Sequence, residues 1–193
     1  IQGWSTSTGS ATKIDVSYSG NQISALDGTS LATFSYKPVI NELSCTYNCI
    51  PGKIEAEDYF FESGISVEGC SDVDGGYNIG YLNTGDYVDY YINAKYSGSF
   101  QVSYRNASDG HNGSLEMQLI DSLGNATTLN TANFSSTGGW QTWQTTNTSE
   151  VFWLDKGVHH IRILITLQEY NLNWFQFDIV ASDENSVLDT QVL

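Results

Sequence analysis

The chain has 193 residues, enough for one domain with an appended segment, and it carries 22 acidic against 7 basic side chains, a net charge of -15. Phosphate-rich partners need clustered lysine and arginine, so this charge argues against binding to nucleic acid or to an anionic membrane. No apolar run approaches the roughly 18 residues of a membrane-spanning helix. The 18 glycines, 12 tyrosines and only 2 prolines are typical of a β-rich extracellular module.

The first 50 residues are expected to form a linker and one or two extra strands. Residues 1–12 are rich in Ser, Thr and Gly, which is typical of a linker. Between Ile14 and Ile40, two β-like stretches are separated by a Gly-Asn turn. Residues 1–50 are too short for a domain of their own. These residues either pack on the main domain or are the remnant of a neighbouring domain.

Residues 51–181 are predicted to form an all-β antiparallel sandwich of the jelly-roll type. Short strands and turn signals such as Asp74-Gly75 recur without a helical period. Residues 182–193 are polar and are expected to form a flexible tail. The clearest predicted strands are Ile54–Tyr59, Asn78–Leu82, Tyr87–Ala94, Ser99–Tyr104, Ser114–Ile120, Val158–Leu167 and Leu172–Val180.

The three cysteines predict one disulfide rather than a zinc site. Their spacing to the histidines does not match a metal motif. Cys45–Cys49 is the favoured pair over Cys49–Cys70, and either pairing leaves one thiol over. The sequence does not decide between them.

A pair of acidic residues in the first predicted strand of the sandwich indicates a possible calcium site. Glu55 and Glu57 project to the same side of a strand, where two carboxylates repel unless they are solvated, protonated or bridged by a cation. Asp178, near the end of the last strand, joins them if the first and last strands are neighbours. Calcium favours six to eight oxygen ligands. An ordinary solvated acidic edge is an equally good interpretation.

Aromatic residues beside amides indicate a ligand that is flat and rich in hydroxyl groups, of which sugars are the commonest. The Gly138-Gly139 pair lets the backbone bend, so Trp140 is expected on a loop. One tyrosine from the segment that holds Tyr77, Tyr81 and Tyr87 is predicted to face it, so that the two rings grip a pyranose ring on both sides. Amides of Asn171 or Asn173 suit the base of such a gap, and the period-two spacing of the two asparagines does not rank them. For any one of these rings, packing in the sandwich is the simpler interpretation.

An ordered set of motifs resembles carbohydrate-binding module family 6 between about Lys53 and Val180. Members of that family are jelly-roll modules attached to secreted polysaccharide-degrading enzymes. The resemblance covers nothing before Cys45. It is carried by Glu55-Ala56-Glu57, Gly76-Tyr77-Asn78-Ile79-Gly80-Tyr81-Leu82, Gly85-Asp86-Tyr87, Gly138-Gly139-Trp140-Gln141-Thr142-Trp143, Gly157-Val158-His159 and Asn171-Leu172-Asn173-Trp174-Phe175 with Asp178.

The resemblance implies a role for several residues. Tyr81 and Trp140 match the aromatic pair that sandwiches the sugar, Asn171 matches the asparagine at the floor, and Glu68 falls near a loop acid that contacts ligand in some members. Trp143 and Trp174 then belong to the core. The implied structural calcium ligands are Glu55, Glu57 and Asp178. Some members have a second site around a tryptophan where this chain has Tyr87, and that departure argues against a second site here.

The function predicted from these features is that of a non-catalytic, secreted, monomeric module that targets a covalently linked glycoside hydrolase to a neutral polysaccharide such as a β-glucan, xylan or agarose. A lectin-like adhesion domain is the first alternative. A glycoside-cleaving enzyme domain is the second. Acids are plentiful, but no motif positions a carboxyl pair across a glycosidic bond.

Overall fold

A computed structural model of the protein describes residues 14–18, 34–39 and 48–182. The chain divides into two compact units, Ile1–Cys45 and Thr46–Leu193. In the first unit, β1 (Ile14–Tyr18) pairs antiparallel with β2 (Phe34–Val39), where the sequence predicts one or two strands. The predicted linker at residues 1–12 and the tail from residue 183 onward lie outside the described residues.

The second unit is an antiparallel β-sandwich, as the sequence predicts; only the short β3 pairs in parallel, with β8. Residues 48–182 contain no helix, so none of them forms a helix that could span a membrane. The six-stranded sheet contains β3 (Asn48–Ile50), β5 (Phe61–Ser63), β8 (Tyr87–Ala94), β10 (Gly113–Ile120), β11 (Ala126–Phe134) and β14 (Gly157–Leu167). The seven-stranded sheet contains β4 (Gly52–Glu55), β6 (Ser66–Gly69), β7 (Tyr77–Gly80), β9 (Gly98–Ser108), β12 (Gly139–Asn147), β13 (Phe152–Leu154) and β15 (Asn171–Ser182).

The core lies between the two sheets because alternate residues of each strand face inward. Tyr90 of β8 packs edge-on against Phe175 of β15, with ring centroids 5.0 Å apart. The Tyr90 hydroxyl donates to the Ala56 carbonyl at 2.6 Å, which satisfies a polar atom that is otherwise fully buried. The inward faces of both sheets are therefore joined by aromatic packing and by hydrogen bonds.

Several long strands agree with the sequence prediction, but two strands of nine residues, β11 and β12, and several short ones were not predicted. β8 has the predicted bounds, Tyr87–Ala94. β4 ends at Glu55, so the prediction of a strand to Tyr59 is wrong there. No sequence pattern separates β5, β6 or β13 from loops, since strands of three or four residues are too short to display a period.

Cys70 is a free cysteine, so the Cys49–Cys70 pairing is wrong. Burial raises the pKa of the Cys70 thiol. Cys45 lies outside the described residues, and the Cys45–Cys49 pairing stays a prediction.

Candidate functional site

An open cleft of about 520 Å³ lies at one end of the sandwich, within the size range of small-ligand sites. Tyr81 and Trp140 both line it, and both rings are accessible, with exposed fractions of 72% and 40%. The lining residues are Glu68, Tyr81, Leu82, Asn83, Trp140, Gln141, Glu169, Tyr170 and Asn171.

Tyr81 reaches the cleft because the chain turns sharply after β7. Its φ of 57° lies in the left-handed region, which is uncommon for a residue with a side chain. Asn83 Nδ2 donates to the Tyr81 carbonyl at 3.3 Å. Asp86 Oδ2 in turn accepts from Asn83 N at 2.7 Å and from Asn83 Nδ2 at 3.2 Å. This turn fixes the backbone that carries the phenol ring.

Trp140 reaches the cleft on a bulge of β12, not on the loop that the sequence predicts. Gly139 pairs with Ser108 of β9, and the next pair in register is Gln144 with Asn106. Four residues of β12 therefore stand opposite one residue of β9, and this irregularity directs the indole outward. Gly138, with a φ of 85°, supplies the bend that precedes it.

The floor of the cleft is a network of amides around one carboxylate oxygen, Glu68 Oε1. It accepts from Asn171 Nδ2 at 2.7 Å, Asn78 Nδ2 at 3.1 Å and Gln141 Nε2 at 3.4 Å. Asn171 Nδ2 also donates to the Trp140 carbonyl at 2.9 Å. The network fixes the orientation of each amide and ties the floor to the indole wall.

Gln141 is a site residue that the sequence interpretation missed. Its Oε1 accepts from Ser71 N at 2.8 Å and from Trp143 Nε1 at 3.3 Å, while its Nε2 also donates to Asn78 Oδ1 at 3.2 Å. Its place between two tryptophans in the sequence was the available signal. Leu82, Asn83, Glu169 and Tyr170 were also missed.

Glu169 and Tyr81 are the two residues other than glycine with positive φ in the described part of the chain, and both line the cleft. The φ of Glu169 is 77°. Its carbonyl oxygen lies 2.7 Å from the Ser108 hydroxyl. Strained backbone concentrates at functional sites, because the surrounding contacts there must hold a conformation that the chain would otherwise avoid.

Asn173 does not line the cleft, although its spacing from Asn171 allowed a place on the same face. The register of β15 against β9 shifts between Leu172 and Trp174, so Asn173 is the extra residue of a bulge. Its Nδ2 donates to Asp72 Oδ2 at 3.1 Å, and its side chain is buried. The structure places Asn173 in the support of a neighbouring loop.

Tyr77 also lies away from the cleft. It is the first residue of β7, its ring is exposed, and it is not among the residues that line the cleft. Tyr77 and Tyr81 would share a face in a continuous strand. The strand ends at Gly80, however, and the left-handed conformation of Tyr81 breaks that relation.

Trp143 and Trp174 are half-buried and lie outside the hydrophobic core, which corrects the sequence expectation. On β15 the inward positions belong to Phe175 and Phe177, so Trp174 faces outward. The Trp143 indole N–H donates to Gln141 Oε1, so Trp143 supports the amide network although it does not line the cleft.

The three predicted calcium ligands are not gathered. Glu55 stands opposite Trp174 on β15, and Asp178 is four residues further along, about 13 Å at the usual rise. Glu55 Oε1 instead pairs with Lys53 Nζ at 2.8 Å, and Asp178 Oδ1 accepts from Gln176 Nε2 at 2.8 Å. Across the described residues, no three acidic, histidine or cysteine side chains form a candidate metal cluster.

Glu57 alone retains a feature that fits a cation. Its Oε2 is buried without a hydrogen-bond partner, and burial raises the pKa of this carboxyl. A buried carboxylate oxygen that lacks a donor is costly unless the carboxyl is protonated or that oxygen is bound to a cation.

Tyr87, on the outer face of the six-stranded sheet, is covered by neighbouring side chains. The Arg162 guanidinium carbon lies 3.7 Å from the centre of its ring, and the Phe61 ring stacks 5.9 Å away. Two hydrogen bonds of 2.8 Å from Arg162 to Asp89 hold the guanidinium there. The Tyr87 ring is therefore partly covered, and the absence of a second site here stays a prediction.

The chain was compared with known protein families and solved structures. The family described as "Carbohydrate binding module (family 6)" matches residues 55–179. Its range includes both aromatic walls and the amide floor of the cleft.

The chain is also similar to a curated protein and to solved structures. It is 32% identical over 151 residues to the clotting factor G alpha subunit of Tachypleus tridentatus; the match covers 75% of this chain and 22% of that protein. The chain thus spans about a fifth of the length of that relative. The module CBM6cm-2 from Cellvibrio mixtus lichenase 5A, solved with cellotriose, is 34% identical with a TM-score of 0.60, over 68% of this chain and 98% of that one. A β-1,3-glucan-binding module from Bacillus halodurans is 32% identical with a TM-score of 0.59, over 68% and 98%.

Proposed function

Because the chain belongs to carbohydrate-binding module family 6, we propose that its cleft holds one sugar ring between Tyr81 and Trp140, above the amide of Asn171. The observation that carries this proposal is the shared cleft of two accessible aromatic rings over a fixed amide network. Burial of roughly 100 Å² on each face at about 25 cal/mol/Å² is a gross gain of several kcal/mol. Desolvation and ordering reduce it to micromolar or millimolar affinity.

The proposed ligand is a neutral polysaccharide of the β-glucan, xylan or agarose type. Two carboxylates, Glu68 and Glu169, line the cleft, and no lysine or arginine is among its described lining residues. Uronic acids and sulfated sugars would meet repulsion there, whereas hydroxyl groups can donate to the carboxylates. The similar modules that carry cellotriose or bind β-1,3-glucan support this class of ligand.

In its biological setting, the module is proposed to be secreted, monomeric and covalently linked to a glycoside hydrolase. One similar module comes from a lichenase, which supports such a link. Binding to an insoluble polymer raises the effective concentration of the linked catalytic domain without any chemistry in the module. A lectin-like adhesion role is distinguished by the ligand, since an adhesin would prefer glycoprotein glycans over the polymers.

Catalysis by the cleft itself is disfavoured by the hydrogen bonds that Glu68 makes within its floor. Glycoside hydrolysis needs one carboxyl group as a proton donor and a second as nucleophile or base. Glu68 Oε1 already accepts hydrogen bonds from three amides, so this oxygen is held in the floor of the cleft and is not free to act on a glycosidic bond. The module alone is therefore expected to release no reducing sugar from any polymer that it binds.

For calcium, the proposal retains Glu57 with Glu55 and leaves out Asp178. A bound ion would compensate the buried Glu57 oxygen and tie the residues after β4 to their surroundings. Oxygens beyond these two carboxylates would have to come from backbone carbonyls or water. In this role the ion stabilises the fold and does not contact the sugar.

The test of the proposed function is binding of Trp140→Ala to laminarin, xylan and agarose, measured by affinity electrophoresis and calorimetry. Trp153→Ala is the matched control, because Trp153 is 47% exposed and lies outside the cleft on β13. We expect Trp140→Ala to abolish binding with an unchanged melting temperature and Trp153→Ala to bind normally. Equal binding by both variants would place the sugar elsewhere.

A further inference from the structure

A second aromatic ring lies beside Trp140, outside the cleft. The imidazole of His111 is exposed, and its centre is 6.4 Å from that of the indole, with 23° between the ring planes. Rings that stack directly face to face have centres about 3.5–4 Å apart, so at 6.4 Å the imidazole does not lie directly over the centre of the indole. The two rings are near-parallel neighbours, and His111 is exposed beside Trp140.

This arrangement is held by the end of β9. The Ser108 hydroxyl lies 2.6 Å from the His111 carbonyl oxygen. The Ser108 carbonyl accepts from Thr137 N at 3.0 Å and from Gly138 N at 3.1 Å, two residues before Trp140. Ser108 is fully buried. The loop that carries His111 and the segment that carries Trp140 are therefore fixed to one residue, and so is the relation between the two rings.

We propose that His111 forms a further sugar-contacting subsite, which receives the pyranose unit next to the one held by Trp140 and Tyr81. This proposal rests on the proposed function, because the first unit must lie in the cleft. Imidazole offers a flat face for a sugar ring and edge nitrogens for its hydroxyl groups. The preferred ligand is accordingly a neutral oligosaccharide of at least two units.

The experiment measures how affinity rises with the length of the oligosaccharide. The full chain is titrated with β-1,3- and β-1,4-linked gluco-oligosaccharides and with xylo-oligosaccharides of one to four units, and the series with the tightest trimer is used for the variants. In His111→Ala, the increase in affinity from a one-unit to a two-unit oligosaccharide is expected to be about five-fold smaller than in the unsubstituted chain, with unchanged affinity for the single sugar. His111→Phe keeps a flat ring and is expected to retain most of that gain.

His159→Ala is the matched control, since His159 lies on β14 and is bonded to the Asp155 carbonyl, away from the cleft. Affinities of His111→Ala equal to those of the unsubstituted chain at every length would overturn the subsite and leave the proposed function intact. A His111→Phe variant as weak as His111→Ala would overturn the stacking role. No binding of any series by the unsubstituted chain would overturn both proposals.

Discussion

Alanine in place of Gly80 is expected to damage the floor of the cleft without straining the strand that carries it. The φ of Gly80 is not positive, so alanine adds no backbone strain there. Its Cβ would lie 2.7 Å from Asn171 Oδ1 and 3.3 Å from Glu68 Oε1, whereas ordinary contacts begin near 3.4 Å. The Asn171 amide would have to retreat by about 0.7 Å, although it is 4% exposed and has little free space.

The retreat breaks a defined set of contacts. Asn171 Nδ2 is bonded to Glu68 at 2.7 Å and to the Trp140 carbonyl at 2.9 Å. Overpacking of this kind costs about 1–3 kcal/mol of the free energy of unfolding. Misplacing one amide that bonds to the sugar costs about 1 kcal/mol of binding, which is about a five-fold loss of affinity.

Calorimetry with the preferred oligosaccharide and urea unfolding together test this reasoning in a double-mutant cycle. Gly80→Ala should weaken binding in the normal background and add little in the Asn171→Ala background, because both changes act on one amide. Gly69→Ala is the control, since a Cβ there meets nothing within 4 Å. Full additivity of the two losses, or normal binding by Gly80→Ala, would refute the reasoning.

Two further predictions concern stability. Hydrogen bonds from Arg105 lower the pKa of Asp72 to about 2. The ionised Asp72 therefore contributes about 2 kcal/mol to the free energy of unfolding; this contribution is complete above pH 3.8 and is lost as the pH falls through about 2. Between pH 5 and pH 2, the free energy of unfolding in urea should therefore fall by about 2 kcal/mol more for the unsubstituted chain than for Asp72→Asn. Equal falls in the two proteins would contradict this. Asp74→Asn is the control, because Asp74 is exposed. Calcium should raise the melting temperature of the unsubstituted chain but not of Glu57→Gln, with no change in sugar affinity. A calcium shift that survives in Glu57→Gln would exclude Glu57 as a ligand, and no shift in either protein would exclude the ion.

The sequence predicts the strands whose apolar pattern is clear, whereas β11 and β12, two mostly polar strands of nine residues each, were not predicted. β8 and β14 alternate or run apolar over eight or more residues, and their predicted bounds are within one residue of those observed. Short strands such as β5 and β13 have three residues each, and they form because they pair with the neighbouring strands β8 and β9. That pairing is a tertiary contact, and no local period encodes it.

The sequence predicted four of the nine residues that line the cleft, and it did not predict the backbone that positions them. Tyr81, Trp140, Asn171 and Glu68 were all identified through the motif resemblance, and the structure brings them to one cleft. What separates Asn171 from Asn173 is a bulge on β15. Bulges and left-handed residues are set by register between strands that are distant in the sequence, so period-two reasoning cannot find them.

The acidic trio illustrates a limit of a different kind. Glu55 and Asp178 do lie on adjacent strands, β4 and β15, as the calcium prediction requires. The register nevertheless offsets the two residues by four positions, and this offset cannot be predicted from the order of the strands alone. A site drawn from several strands is thus predictable only when both their order and their register are known.

The central claim, that one sugar ring lies between Tyr81 and Trp140 above Asn171, is tested most directly by intermolecular nuclear Overhauser effects from a bound neutral trisaccharide. We predict that protons of a single sugar unit show effects to both aromatic rings and to the Asn171 side-chain amide. Effects to only one of the rings, or to the aromatic surface around Tyr87 instead, would contradict the claim.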